Sequence, residues 1–144
     1  MKRVFVLLAG LTGLTLGVNA QKLSAAKVPS AVKAAFEKKH PEIKTVTWEK
    51  EKGDYEAAFT VNGRKNSENY SQKGMLVESE TEINPAELPK EVSAHIISQF
   101  KNAKIKEAAK ITNAKGEVTY EAEVNGKDLI FDAKGNPVIS HRSL

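Results

Sequence analysis

Three histidines are the natural place to look for chemistry in a chain without cysteine. His40, His95 and His141 are scattered along the sequence, and no two of them stand at metal-ligand spacing. None lies beside a carboxylate that could orient it as a base. His95 shares a helical stretch with Val92 and Ile96, which makes it a helix-surface or boundary residue. No G-x-S-x-G, H-E-x-x-H or glycine-rich phosphate loop occurs. The absence of cysteine removes thiolate metal sites, cysteine nucleophiles and disulfides. Glu78, Glu80 and Glu82 alternate along one segment and could form a row that binds a cation or amine. The same letters describe the wetted side of a strand, and that reading is preferred; a glycoside-cleaving pair would also need a cleft and one carboxyl of raised pKa. Asn69-Tyr70-Ser71 matches a glycosylation sequon, but three-letter matches arise by chance. Trp48, the lone tryptophan, could anchor a partner. Its alternation with Val46 instead places it in a core. The expectation is a protein that is not an enzyme and carries no cofactor and no metal.

The elements around these residues begin with an export signal. Lys2 and Arg3 precede an apolar run over residues 4–16, and Val18-Asn19-Ala20 supplies small residues for cleavage. That run is shorter than the roughly 20 residues needed to span a bilayer. The expected division is a signal peptide at 1–20 and an N-terminal tail at 21–27, with no stable membrane insertion after cleavage. Losing Lys2 and Arg3 leaves 20 basic against 18 acidic residues, a net of +2 where the whole chain has +4. Lysine and glutamate alternate rather than cluster, and no basic stripe with interleaved aromatics is present, so nucleic acid is not an expected partner. An exported chain without cysteine suits a periplasmic or secreted setting.

"GDYEAAFTVNG" at 53–63 returns as "GEVTYEAEVNG" at 116–126, with Gly53 and Gly116, and Asn62-Gly63 and Asn125-Gly126, each 63 residues apart. Upstream, "VPSAVKAAF" answers to "LPKEVSAHI". Val28, Val32, Ala35 and Phe36 fall at helical spacing, as do Leu88, Val92, Ile96 and Phe100. Proline suits the start of each helix, and Pro41 stops the first near His40. Downstream the period becomes two. Tyr55, Ala57, Phe59 and Val61 alternate with polar or small residues, and so do Val118, Tyr120, Ala122 and Val124. Asn-Gly marks a tight hairpin in each copy, and "SQKG" (71–74) and "DAKG" (132–135) mark a second turn.

These signals predict an α+β fold: a tandem duplicated helix plus four-stranded antiparallel sheet, with the helices on one sheet face. The strands are expected at 44–51, 54–61, 64–71 and 75–82, then at 105–112, 117–124, 127–132 and 137–141. Repeats would span 28–83 and 88–144, joined by a linker at 84–87 that is too short for a flexible spacer, which leaves open that the two sheets join or abut as one unit. The polar third strand of the first copy, "RKNSENYS", reads as an edge strand kept polar against aggregation. An adapted binding surface is the alternative.

An exported chain with tandem "(V/L)P..V" segments, strands ending in "NG(K/R)" and a "DAKG"-type turn resembles the PepSY-like family, in particular its β-lactamase-inhibitor-like (BLIP-like) periplasmic proteins of Bacteroidetes. The resemblance covers residues 28–140 and rests on turn and packing signatures. It implies a helix on a four-stranded sheet, twice, and a role in binding and restraining hydrolases or peptidases. In the inhibitor that names the subgroup, the sheets form a concave gripping face and an acidic hairpin residue enters the enzyme. Here Asn62-Gly63-Arg64 puts no carboxylate at the first tip, and that inhibitor's disulfides are missing.

If helices cover one sheet face, the other must meet water or a partner. The expected partner is a protein, and its contacts are assigned to Ala58, Thr60, Asn62, Arg64, Thr119, Glu121, Glu123, Asn125 and Ile130. A binder of a small ligand or envelope component (peptide, glycan or cation) is the alternative. Neither partner identity nor oligomeric state follows from the sequence.

Overall fold

The computed structural model describes residues 21–138. The expected signal peptide, and residues 139–141 of the last expected strand, lie outside the described residues. In chain order the elements are β1 (Gln21–Leu23), α1 (Ser30–Lys39), β2 (Thr47–Glu51), β3 (Asp54–Val61), β4 (Arg64–Tyr70) and β5 (Leu76–Ile83). α2 (Lys90–Gln99), β6 (Ile105–Asn113), β7 (Val118–Val124) and β8 (Lys127–Asp132) follow. Short 3-10 turns at Ala25–Lys27 and Pro85–Glu87 precede the two helices.

The expectation of a four-stranded sheet, twice, is corrected here. The strands form one eight-stranded antiparallel sheet in the order β1 to β8, accompanied by only two short helices. Apolar periodicity reports which side of a strand is buried, but not which backbone edges are paired, so it cannot tell two sheets from one. β1 was also invisible to it, because Gln21-Lys22-Leu23 is too short to alternate. At the far end, Pro137 makes only an isolated bridge to Phe131. The polar segment 64–71 is not an edge either. β4 is paired on both sides, to β3 and to β5, while β1 and β8 close the order.

Contacts divide the described chain into a first unit, residues up to 82 with 111–117, and a second, 83–110 with 118–138. In the first, Val28, Val32 and Phe36 of the α1 segment meet Trp48, Tyr55, Ala57, Phe59 and Tyr70. Trp48 is buried and lies edge-on to Phe36, ring centroids 5.5 Å apart, as its alternation required. In the second, Leu88, Val92 and Ile96 meet Ala108, Ala122, Val124 and Phe131. Both helices start alike. The Pro29 carbonyl accepts from the Val32 and Lys33 amides, and that of Pro89 from Val92 and Ser93. α1 ends where Pro41 forbids another turn, with the His40 amide donating to the Phe36 carbonyl at 2.8 Å.

Asn62 and Asn125 open the β3–β4 and β7–β8 hairpins at φ of 50° and 52°. Alanine at either place should cost about 1 kcal/mol, because its Cβ crowds the backbone there, whereas glycine should be neutral. Thermal melts of the four variants check this.

Candidate functional site

Two arrangements of polar side chains come from the first unit, on opposite sides of its strands. The face turned away from α1 is set by strand register. One cross-strand row runs Lys22, Glu49, Glu56, Asn69 and Glu78. The next runs Thr47, Ala58, Ser67 and Glu80. Thr60 pairs with Lys65, whose backbone amide donates to Glu82 Oε2 at 3.3 Å. Small side chains therefore sit between carboxylates. Glu49 stands between Lys22 on one side and Glu56 on the other, an opposite-charge pair next to a like-charge pair. Most of these side chains are half-buried; Lys22, Thr47 and Thr60 are exposed.

The expected contact residues distribute unevenly. Ala58 and Thr60 lie on this face, and Asn62 is at the exposed hairpin tip. Arg64 pairs with Val61, which packs on the core, so it is out of phase with Ala58 and Thr60. In the second unit Glu121 pairs with Ile130, Thr119 with Asp132 and Glu123 with Asp128. Register thus brings Glu121 and Ile130 together, yet Glu121 is buried at 9% exposure while Thr119, Glu123 and Ile130 are half-buried. Asn125 is exposed at its tip. Burial pushes the Asp128 carboxyl upward, helped by the nearby charges of Glu123 and Glu107. Lys106 Nζ holds Glu123 Oε1 at 3.2 Å.

The second arrangement lies under the end of α1 and was not foreseen. Glu68 is buried at 4% exposure on β4. Its Oε1 accepts from Lys39 Nζ at 2.6 Å, and its Oε2 accepts from the Tyr70 hydroxyl and lies 3.0 Å from His40 Nε2. The His40 ring packs between Phe36 and Phe59, centroids 5.0 and 4.7 Å away. Burial alone would raise the Glu68 pKa, but the hydrogen bonds from Lys39 and Tyr70, with the His40 ring nitrogen close by, outweigh it and hold the carboxyl below its usual range. Burial and the same carboxylate push the Tyr70 hydroxyl far upward. So a carboxylate partner for His40 does exist, contrary to expectation, supplied by the fold across a long sequence separation. No local motif announces it. The only hint is a glutamate beside a tyrosine on the inward parity of a strand.

This buried cluster has the makings of a structural anchor, since it contains no nucleophile with an open approach. His95 is half-exposed beside Phe131, ring centroids 5.4 Å apart, as a boundary residue would be. Among the described residues no group of three or more histidine, aspartate or glutamate side chains could hold a metal ion. No helix among them is long and apolar enough to cross a membrane.

The family model described as "Putative beta-lactamase-inhibitor-like, PepSY-like" matches residues 16–78 and again 54–138. Among solved structures, a chain of Bacteroides eggerthii described as "putative periplasmic proteins" superposes with a TM-score of 0.71 at 20% identity. The match covers 78% of this chain and 86% of that one. A DUF2874 family protein of Bacteroides uniformis gives 0.70 at 19% identity, covering 77% and 86%. A BLIP-like protein of Bacteroides fragilis gives 0.63 at 22% identity, covering 77% and 84%. At these identities the likeness speaks for the fold alone. No curated protein matches the sequence.

Proposed function

The chain belongs to the PepSY-like, β-lactamase-inhibitor-like family, and from that premise we propose that it is an exported, non-enzymatic module that binds another protein. The partner is a periplasmic hydrolase or peptidase, which the module inhibits or regulates by steric occlusion. The fold likeness to structures described as BLIP-like and periplasmic supports the class of function and the compartment. The observation that carries the reading is the cross-strand row on the first unit. Glu49 and Glu56 face each other beside Lys22, with Ala58 and Ser67 leaving room next to them. An exported chain of net charge +2 that places several glutamates on one sheet face is suited to a partner whose contact surface is basic.

The contacts are assigned to Ala58, Thr60 and Asn62 in the first unit, and to Thr119, Glu123, Asn125 and Ile130 in the second. A photoreactive side chain at position 58 should crosslink one periplasmic protein in a saturable way. The same group at Lys33 on α1 should not. Raising salt to about 1 M should weaken capture, because exposed charges are screened beyond roughly 3 Å there. An Ala58→Arg chain that still captures the same protein at unchanged yield counts against this surface. So does recovery of no partner at concentrations where complexes of about 1 μM affinity persist.

A further inference from the structure

α1 and α2 are fastened to their strands by different chemistry. The residue after α2 is Phe100, which packs on the core of its unit with Leu129 and Phe131. The residue after α1 is His40, and the strand positions at the same distance from the following turn glycine hold Glu68 and Tyr70. The α2 seam is apolar apart from His95, whose ring stands beside Phe131, and among the described residues it holds no buried carboxylate like Glu68. A seam closed on such a carboxylate depends on pH.

We propose that Glu68 is an acid-released latch on the C-terminal end of α1, and that α2 has no counterpart to it. The groups facing the carboxylate make it the hub of the seam. From α1 come Phe36, Lys39 and His40; from β3, its register partner Ala57, with Phe59 against His40; from β5, Ser79. Tyr70 is opposite Tyr55, and Glu42 lies outside the cluster, 4.0 Å from His40 Nδ1. Ionised Glu68 accepts from Lys39 and Tyr70 together. Once protonated it loses its charge and needs an acceptor of its own. Lys39 is then left without its anion at the end of the helix.

The direction follows from linkage. The folded carboxyl is held below its ordinary value, so its contribution is complete above the ordinary glutamate range. It is lost as pH falls through the folded value. The latch is therefore shut at neutral pH and opens only in acid.

Amide hydrogen exchange, read as protection factors from about pH 7 to about pH 3, tests this. Protection in the last turn of α1 should fall about 10-fold or more before that of α2 changes. In Glu68→Gln, α1 should already be less protected at neutral pH, and its ratio to α2 should no longer depend on pH. Lys39→Ala, at a half-exposed position, should fold normally and shift the release to higher pH. Loss of protection by both helices in one step overturns the proposal. So does a wild-type pH dependence in Glu68→Gln or an unmoved release in Lys39→Ala.

Discussion

Alanine at Gly74 will destabilise the first unit by about 3 kcal/mol, and alanine at Gly135 will do the same to the second. Both glycines have left-handed backbones, with φ of 78° and 80°. A Cβ at Gly74 would stand 2.5 Å from the Ala31 carbonyl oxygen, and one at Gly135 would stand 2.5 Å from that of Glu91. Each turn thus presses its backbone on the opening turn of a helix. The obstacle is main chain, which cannot swing aside as a long side chain could. Gly63 supplies the control, with the same φ of 78° and nothing within 4 Å of its Cβ. Gly63→Ala should therefore cost only about 1 kcal/mol of backbone strain. Chemical denaturation of the three variants separates strain from contact. Equal losses at positions 63 and 74 would refute the close approach.

Phe36→Ala should cost about 4 kcal/mol, among the larger losses available to a single core truncation. Phe36 is 2% exposed and touches three rings: Trp48 at 5.5 Å, Phe59 at 5.1 Å and His40 at 5.0 Å between centroids. Removing it opens a cavity and frees the last turn of α1. Trp48 is the only tryptophan, so its emission should shift to longer wavelength and report unfolding of the first unit. A urea midpoint unchanged from wild type would show that the helix does not seat there.

Much of this arrangement could be read from the letters. Val32, Phe36, Val92 and Ile96 announce two helices because burial recurs with the turn of the helix. Tyr55, Ala57, Phe59, Ala122 and Val124 announce strands in the same way. What escaped depends on contacts distant in sequence. Lys39 and Glu68 are 29 residues apart, and nothing local couples them. The polar letters of β4 suggest an exposed edge. Several of them in fact point inward and find partners, Asn66 Oδ1 accepting from Thr81 Oγ1 of β5 at 2.8 Å while Tyr70 donates to Glu68. Composition shows that a residue is polar, but not which side of an interior strand has a partner waiting. For the candidate surface, alternation placed Ala58 and Thr60 correctly on the face away from α1. It gave no sign that Glu121 would be buried, whereas the parity of Arg64 follows from the two-residue Asn62-Gly63 turn, which pairs it with Val61.

The margins of the sheet bear on how the protein behaves at high concentration. An open strand border is a template on which a neighbouring copy can extend the ladder, the route to fibres. Here one border is only three residues long, with Lys22 in its middle. Beyond the other, Pro137 stands opposite Phe131 with no amide hydrogen to donate. Both features oppose sideways extension of the ladder by a second copy.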